Sequence, residues 1–213
     1  MNVLSSQFPQ LSSTQIEQYH ELLPIYEKWN TKINLISRKD MIHFYSHHIH
    51  PAIVLGKIIS PTDGTHILDV GTGGGFPGIP MAILFPHVRF RLIDTIRKKI
   101  NTVQSIVNEL NLQNVEVQQT RIEELHEQFD FITGRAVTSF SQFIKWTCKN
   151  ISFEQKNQKL NGIFYITGGD IEINPQYNGF HQIFPLQKYL NDPYFETKKI
   201  AYWHPQQLTV NSE

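Results

Sequence analysis

A glycine-dense segment in the first half of the chain constrains the fold more than any other feature. It follows a short apolar run, residues 66–70, whose length and composition predict a buried parallel strand. Pro77 then opens an apolar stretch, residues 78–85, that is predicted to be a helix. Glycines let the backbone approach a ligand closely, and open α/β sheets bind ligands at the carboxyl ends of their strands. The sequence therefore predicts a nucleotide-binding corner at this turn.

The spacing of these glycines distinguishes between two classes of cofactor. Gly73, Gly75 and Gly78 match the dinucleotide fingerprint G-x-G-x-x-G, which is a weak indicator on its own. In that fingerprint the first glycine follows the strand directly, whereas this strand ends in Asp69-x-Gly71. An acidic residue at the strand tip suits a cofactor with a cationic amino-acid end rather than a pyrophosphate. The motif therefore favours S-adenosylmethionine over NAD and over a purely structural turn.

Composition excludes several other classes of protein. With 213 residues and 40% hydrophobic content, the chain can bury one good core. It shows no membrane-span pattern and no secretory signal, and its single Cys148 fits a reducing compartment, so we expect a cytoplasmic protein with no membrane partner. Nineteen basic and nineteen acidic residues cancel, which argues against nonspecific coating of nucleic acid but allows a local basic patch for a folded RNA.

The chain is predicted to divide into an N-terminal helical extension, residues 1–60, and a compact methyltransferase domain, residues 61–213. Apolar residues recur at helical spacing over 16–29. Thr14-x-x-Glu17 matches a capping box at the start of this helix, and Pro24 interrupts its pattern. Two further short helices are predicted to start at Asp40 and Pro51.

From residue 66 onward, strand and helix patterns alternate. Strands are predicted at 66–70, 89–94, 115–118, 129–133 and 163–167. Helices are predicted between them at 78–85, 97–110 and 138–149, with a polar surface loop at 150–161. Two strand-like runs, 182–186 and 197–203, are predicted to form an antiparallel hairpin. This order predicts a mostly parallel α/β sheet with right-handed crossovers, a C-terminal antiparallel hairpin and an N-terminal helical extension. Together with the glycine motif that favours S-adenosylmethionine, it predicts a Rossmann-like class I S-adenosylmethionine-dependent methyltransferase fold.

The second predicted strand ends in a carboxylate, Asp94. At this position it can accept hydrogen bonds from both hydroxyls of a ribose. The alternative is a helix cap for residues 97–110, a role that Thr95 could fill equally well.

Three cations follow in the first turn of that helix: Arg97, Lys98 and Lys99. Cations there oppose the helix macrodipole, at a cost of about 0.3–1 kcal/mol each when exposed. Because the placement is unfavourable for the helix, it indicates contact with RNA phosphates. The alternative is an ordinary solvated face.

The loops after the third and fourth strands complete the predicted site. Backbone at Ile122 and Glu123 could contact the edge of an adenine, although Glu123 could equally be a carboxylate at a helix N-terminus. Arg135 follows the fourth strand, where a methyl acceptor should lie, and its planar fork suits a carboxylate, a phosphate or a guanine edge. The alternative for Arg135 is a salt bridge to Asp130 or to another nearby carboxylate.

Two other groups of residues are interpreted as structural. Thr147-Cys148 lies within a predicted amphipathic helix, which favours a buried thiol over a nucleophile. Four histidines lie close together, but no Cys or acidic partner accompanies them at ligand spacing, so we expect no metal. They are His43, His47, His48 and His50.

These residues together resemble the RsmG (GidB) family of bacterial small-subunit rRNA guanine-N7 methyltransferases. The extension Gly75-Phe76-Pro77-Gly78-Ile79-Pro80 is unusually specific to that family. Further matching segments follow in family order: Trp29–Leu35, Leu92–Thr95 with Lys98, Gln119–Glu124 and Phe129–Ala136. The chain departs from the family pattern at Thr167, where a lysine is usual, and at Pro51-Ala52.

The resemblance implies S-adenosylmethionine contacts at Gly71, Phe76, Ile122, Glu123 and Arg135, and a functional role for Lys98. The motif and fold arguments add Asp69, Gly73, Gly75 and Asp94 to the predicted cofactor site. The implied reaction is methyl transfer to N7 of a guanine in the 530-loop region of 16S rRNA. The implied partner is naked 16S rRNA, the small ribosomal subunit or an assembly intermediate.

Guanine N7 carries a free lone pair, so this reaction needs no catalytic base. Arg135 is expected to hold the cofactor or to orient the guanine.

We expect the protein to be a monomer. Three alternatives are a methyltransferase with another substrate, a cofactor-binding module without turnover, and an NAD-dependent reductase.

Overall fold

A seven-stranded β-sheet lies at the centre of the computed structural model, which describes residues 10–152, 161–172, 174–177 and 179–205. The strands are β1 (His66–Val70), β2 (Arg89–Asp94), β3 (Val115–Gln119), β4 (Phe131–Arg135), β5 (Gly162–Thr167), β6 (Phe180–Pro185) and β7 (Lys199–His204). Their order is β3-β2-β1-β4-β5-β7-β6. The first five run parallel, and β7 runs antiparallel to both of its neighbours. The predicted fold class is confirmed.

Five α-helices accompany these strands within the described residues. They are α1 (Ser13–Asn30), α2 (His50–Ile59), α3 (Gly78–Leu84), α4 (Arg97–Glu109) and α5 (Phe140–Thr147). A π-helix, Phe44–Ile49, runs directly into α2. Short 3-10 helices lie at Met41–His43, Ile122–Glu124, Cys148–Asn150, Leu186–Lys188 and Pro193–Phe195. The predicted starts at Asp40 and Pro51 are confirmed, because Asp40 precedes the first 3-10 turn and Pro51 lies in the first turn of α2.

Helices cover both faces of the central strands, and the side chains that alternate along each strand enter the two resulting clusters. Ile67 and Phe131 lie in a cluster with apolar residues of helices α1 to α4. Leu68 and Ile132 lie in a second cluster with residues of α5. Every residue of β1 after His66 is buried, as expected for a parallel strand covered on both sides.

The N-terminal helix α1 is hydrogen-bonded to the ends of the helices beneath it. Gln15 Nε2 donates to the carbonyls of Ile83 (2.7 Å) and Leu84 (3.0 Å), and Gln18 Nε2 donates to the carbonyl of Leu110 (2.8 Å). The buried hydroxyl of Tyr19 donates to the carbonyl of Pro80 (2.6 Å). The N-terminal segment and the sheet therefore share one core, and the division at residue 60 stays a prediction.

The predicted capping box at Thr14 and Glu17 is wrong by two residues. Ser12 is the N-cap of α1: its hydroxyl accepts from the backbone N–H of Gln15, and the Gln15 side chain accepts from the backbone N–H of Ser12. Thr14 lies inside the helix. The helix continues through Pro24 to Asn30.

Strand β4 begins two residues later than predicted. Phe129 forms an isolated bridge with Ile151, and the Asp130 carboxylate accepts from the backbone N–H of His66 (2.8 Å), so both are engaged outside the strand. The predicted surface loop at 150–161 is only partly described. Its ends are buried, at Asn150–Ser152 and at Asn161, and residues 153–160 lie outside the described part of the chain.

The C-terminal strands confirm the predicted hairpin and add its order. Strand β7 pairs with both β5 and β6, so the last strand in sequence is inserted between the two before it.

Among the helices that the structure describes, none has both the length and the hydropathy needed to cross a membrane.

The position of the N-cap makes a stability prediction. We expect Ser12→Ala to lower the free energy of unfolding by about 0.5–2 kcal/mol, because it leaves an amide of the first turn without its acceptor. Thr14→Ala is the matched control, since alanine has the better helix propensity and Thr14 makes no cap. Urea unfolding of both variants measures the difference. A larger loss in Thr14→Ala than in Ser12→Ala would contradict this assignment.

Candidate cofactor site

The turn after β1 adopts backbone conformations that only glycine adopts easily. Gly71 has φ of +67°, and a Cβ there would lie 2.7 Å from Cγ2 of Val137. Gly75 has φ of +91°, and a Cβ there would lie 2.5 Å from Cδ1 of Ile79. Substitution at either position would therefore meet both backbone strain and a packed neighbour. At Gly73, by contrast, a Cβ would meet little more than the carbonyl of Gly71 at 3.8 Å, so the turn is open on that side.

Asp69 fixes this turn from inside the protein. Its side chain is fully buried, and one carboxylate oxygen accepts from the Thr72 hydroxyl (2.7 Å) and the Gly78 backbone N–H (3.2 Å). The other accepts from the hydroxyl of Thr133 in β4 (3.1 Å). The carboxylate therefore binds the turn and does not line the cleft, so this geometry does not support the direct contact with the cofactor that the sequence predicts for Asp69. Burial raises the pKa of its carboxyl to about 7.

The N-terminal helix also supports the turn, which the sequence did not indicate. The buried hydroxyl of Tyr26 donates to the Gly74 carbonyl (2.6 Å). Its ring packs against Phe76 of the turn and Phe44 of the π-helix, with centroid distances of 5.0 and 5.1 Å. Helix α1 therefore holds the glycine turn through both a hydrogen bond and a ring contact.

A cleft of about 610 Å³ opens where β1, β2 and β4 end. Of the predicted site residues, it is lined by Gly71, Gly73, Phe76, Asp94, Lys99, Ile122, Glu123 and Arg135. Four of the predicted residues lie outside the lining: Asp69, Gly75, Arg97 and Lys98. Gly75 is buried within the turn, which it shapes without facing the cleft. Lining residues that sequence reasoning did not assign to the site include His48, Thr95, Val137 and Trp146.

Asp94 connects two walls of the cleft. One carboxylate oxygen accepts from the Gly73 backbone N–H (3.0 Å) and the other from that of Ile96 (2.9 Å). Ile96 is the N-cap of α4, and neither Thr95 nor Ile96 caps the helix through its side chain. Asp94 therefore binds the backbone just before α4, as the alternative role of a helix cap would require in part. Each of its carboxylate oxygens still has a second lone pair for a ligand hydroxyl.

The loop after β3 forms the next wall. Ile122 is buried and Glu123 is exposed in the same 3-10 turn, and both line the cleft. The Nζ of Lys149 donates to the Glu123 carbonyl (2.8 Å), which fixes this backbone. Trp146 faces the same cleft from α5, so apolar groups are available beside a polar backbone edge.

The three cations at the start of α4 have different positions. Arg97 and Lys98 are exposed, whereas Lys99 is half-buried and lines the cleft. The expected basic patch is therefore divided between the cleft wall and the adjoining surface.

Arg135 ends β4 and is held by a histidine. Its Nη1 lies 3.2 Å from Nδ1 of His48, and both residues line the cleft. The predicted alternative, a salt bridge to Asp130, does not form, because Asp130 accepts instead from His66 and Asn161. Burial lowers the pKa of the Arg135 guanidinium and lowers that of His48 to about 4.

The two groups interpreted as structural have mixed outcomes. Thr147 is buried and its hydroxyl donates to the Phe143 carbonyl (2.7 Å). Cys148 lies just beyond α5 and is half-buried, so the prediction of a buried thiol was too strong. His47 and His48 share a carboxylate partner, Asp40, that the sequence reasoning had overlooked.

The cleft fits S-adenosylmethionine in size and chemistry. Its volume lies within the range of small-ligand sites, about 300–1,000 Å³. It combines an open glycine turn, a carboxylate with free lone pairs and an apolar wall. These three features suit the amino-acid end, the ribose and the adenine of the cofactor, in that order. The amino-acid end would be held by Gly71, Gly73 and Phe76. The ribose would be held by Asp94, and the adenine by Ile122 and Glu123.

Comparison with known proteins decides the family. The family described as rRNA small subunit methyltransferase G (GidB) matches residues 12–167. This chain belongs to that family. The Flavobacterium johnsoniae protein named ribosomal RNA small subunit methyltransferase G is 44% identical over 202 residues, which cover 95% of this chain and 97% of that protein. The protein of the same name from Flavobacterium psychrophilum is 43% identical over 202 residues, with 95% and 97% covered.

A solved structure supports the fold independently. The structure of a SAM-dependent methyltransferase from Aquifex aeolicus superposes with a TM-score of 0.53 at 16% identity, covering 75% of this chain and 91% of that one. Membership in the GidB family makes the chain an S-adenosylmethionine-dependent rRNA methyltransferase, as the sequence predicted.

The raised pKa of Asp69 predicts a pH effect on stability. The folded carboxyl has a pKa of about 7, whereas the unfolded one titrates near about 4. A raised carboxyl pKa stabilises the fold below the unfolded pKa, and this stabilisation is lost as the pH rises through about 7. We therefore expect the wild type to lose stability relative to Asp69→Asn between about pH 5 and about pH 8.

Urea unfolding followed by tryptophan fluorescence measures this difference. Asp63→Asn is the matched control, because it makes the same chemical change at an exposed turn. A difference between wild type and Asp69→Asn that stays constant with pH would show that Asp69 does not titrate in this range.

Proposed function

We propose that this protein transfers the methyl group of S-adenosylmethionine to N7 of a guanine in 16S rRNA, within the 530-loop region. The observation that carries the proposal is the family match over residues 12–167. That range contains every described residue that lines the cleft, from His48 to Trp146. The proposed active site and the family-defining part of the chain are therefore the same region.

The proposed cofactor contacts follow the walls of the cleft. Gly71, Gly73 and Phe76 bind the amino-acid end, with Asp69 and Gly75 shaping the turn behind them. Asp94 accepts from the ribose hydroxyls, and the turn at Ile122 and Glu123 binds the adenine. This arrangement is supported by the lone pairs left on Asp94 and by the apolar wall beside Ile122.

The chemistry of the cleft supports guanine N7 as the acceptor. The bound cofactor supplies an electrophilic methyl group on a sulfonium. N7 has an in-plane lone pair that is free at neutral pH, so this chain need only align the acceptor and exclude water. Asp94 and His48 are already engaged by donors of the protein, and the third lining group that could accept a proton, the Glu123 carboxylate, belongs to the exposed turn after β3. An exocyclic amine would instead have to lose a proton during transfer.

The proposed RNA contact lies at the start of α4. Arg97 and Lys98 are exposed beside the cleft, and Lys99 lines it, so RNA phosphates could bind next to the cofactor. The chain has no net charge, which makes a local patch more important than overall attraction. We further propose that the protein acts as a monomer in the cytoplasm, on 16S rRNA, the small subunit or an assembly intermediate.

The direct test is methylation of small-subunit particles from a strain that lacks this gene. The particles are incubated with the purified protein and methyl-labelled S-adenosylmethionine, with excess S-adenosylhomocysteine as the control. Digestion and mass spectrometry then identify the labelled nucleoside and its position. We expect 7-methylguanosine in the 530-loop fragment.

Each other outcome contradicts part of the proposal. Label in a different nucleoside or fragment refutes the guanine N7 or the 530-loop assignment. Cofactor binding without label on naked rRNA, particles or assembly intermediates refutes the proposed activity and favours a module without turnover. Thermal stabilisation by NAD but not by S-adenosylhomocysteine would refute the cofactor assignment.

The proposed RNA patch gives a further prediction. We expect Lys98→Ala to weaken rRNA binding and to reduce the slope of its salt dependence by about one, because one phosphate contact is lost. Affinity for S-adenosylhomocysteine should not change, since Lys98 does not line the cleft. Lys57→Ala, at an exposed position of α2, is the matched control. Equal salt slopes for the two variants would refute the assignment.

A further inference from the structure

Arg135 lies at the meeting point of three segments that are far apart in the sequence. Its Nη1 is 3.2 Å from Nδ1 of His48, and Nε2 of His48 is 2.7 Å from Oδ2 of Asp40. The other oxygen of Asp40 is 2.6 Å from Nδ1 of His47. The ring of His47 stacks on Tyr194 with a centroid distance of 3.5 Å and an interplanar angle of 9°. One continuous set of contacts therefore connects the N-terminal segment, the end of β4 and the C-terminal segment.

Hydrogen-bond chemistry fixes the state of His48 within this set. A guanidinium can only donate, so Nδ1 of His48 must accept from Arg135. The proton of a neutral imidazole is then on Nε2, where it is donated to Asp40. A protonated His48 would instead direct an N–H at Nη1 of Arg135, and burial opposes that charge. The arrangement therefore requires a neutral His48 with one defined tautomer.

We propose that Asp40 and His48 are positioning residues for Arg135, holding its guanidinium at the cleft so that it can bind the cofactor or the target guanine. The proposal rests on the proposed function. Asp40 selects the tautomer, and His48 in turn supplies the acceptor that fixes one N–H of Arg135. The Tyr194 phenol also hydrogen-bonds the guanidinium, and the N–H donors that neither His48 nor Tyr194 engages stay available to ligands of the cleft. This explains how a half-buried cationic side chain is held in one place without a direct carboxylate partner.

The groups around the pair are consistent with this role. The ring of His48 packs between Phe44 and Phe76, with centroid distances of 6.3 and 5.0 Å, so its sides are apolar. The Tyr194 phenol adjoins the Arg135 guanidinium, and Nζ of Lys198 lies 4.2 Å from the Tyr194 ring centroid. Phe76 belongs to the glycine turn, so the histidine contacts the proposed cofactor loop and the Arg135 side chain together.

The first test observes the tautomer in the protein alone. Histidine is labelled with ¹⁵N, and long-range ¹H–¹⁵N spectra are recorded from about pH 6 to about pH 8. The signals of His48 are identified by their loss in the His48→Asn variant. We expect an unprotonated Nδ1 and a protonated Nε2 throughout. A protonated Nδ1 at either end of this range would overturn the proposal, whatever substrate the protein methylates.

The second test measures function in variants of His48. His48→Leu removes both polar contacts in a buried site, and we expect methyl transfer to fall by about tenfold or more, the effect of losing a hydrogen bond to a charged group. His48→Asn can present its amide oxygen to Arg135, so it should recover most of the rate. His43→Leu is the matched control, because His43 stacks on His47 but does not contact Arg135.

A double-mutant cycle separates positioning from a general loss of structure. In an Arg135→Lys background, which lacks the planar fork, His48→Leu should cause little further loss of transfer or of S-adenosylhomocysteine affinity. Additive losses, or a His48→Leu variant that equals the wild type, would overturn the proposal. If no rRNA is methylated, the proposed function fails while the NMR spectra and the cofactor affinity still decide the role of His48.

Discussion

The carboxylate of Asp69 accepts hydrogen bonds from three parts of the chain that must meet for the cleft to exist. These parts are the glycine turn through Thr72, the start of α3 through Gly78, and the adjacent strand β4 through Thr133. An unpaired buried carboxylate would be costly, so these donors and the carboxylate depend on one another. The glycines can adopt their unusual backbone conformations at no steric cost, but it is this set of bonds that holds them in one shape.

The cleft also depends on residues outside the sheet. Tyr26 of α1 holds the carbonyl of Gly74, and His48 of the π-helix contacts Arg135. Residues 13–59 therefore contribute to the site itself and do more than cover one face of the domain. The N-terminal segment is therefore part of the structure that forms the cleft, wherever the boundary between this segment and the methyltransferase domain is drawn.

The sequence predicted those features that depend on local pattern and on strand topology. Strands β1 and β2 have the predicted bounds, and Asp94, Ile122 and Arg135 reach one cleft because carboxyl ends of parallel strands share an edge. Other features depend on contacts that a local pattern does not contain. Asp69 was predicted to face the ligand because an acidic residue at the strand tip suits a cationic group. The type of residue alone could not show that three donors of the protein surround this carboxylate. Asp40 lies only seven and eight residues before His47 and His48, a local spacing that the sequence reasoning overlooked. Nothing in the sequence, by contrast, placed His48 beside Arg135.

A crystal structure of the protein with S-adenosylhomocysteine tests the central claim, which is that the cofactor occupies the cleft at the ends of β1, β2 and β4. Our account predicts ribose hydroxyls on Asp94, adenine beside Ile122 and the amino-acid end along the turn from Gly71 to Phe76. It also predicts that Asp69 keeps its bonds to Thr72 and Thr133 without touching the ligand. A ligand bound elsewhere, or one that contacts Asp69 directly while leaving Asp94 free, would contradict the account.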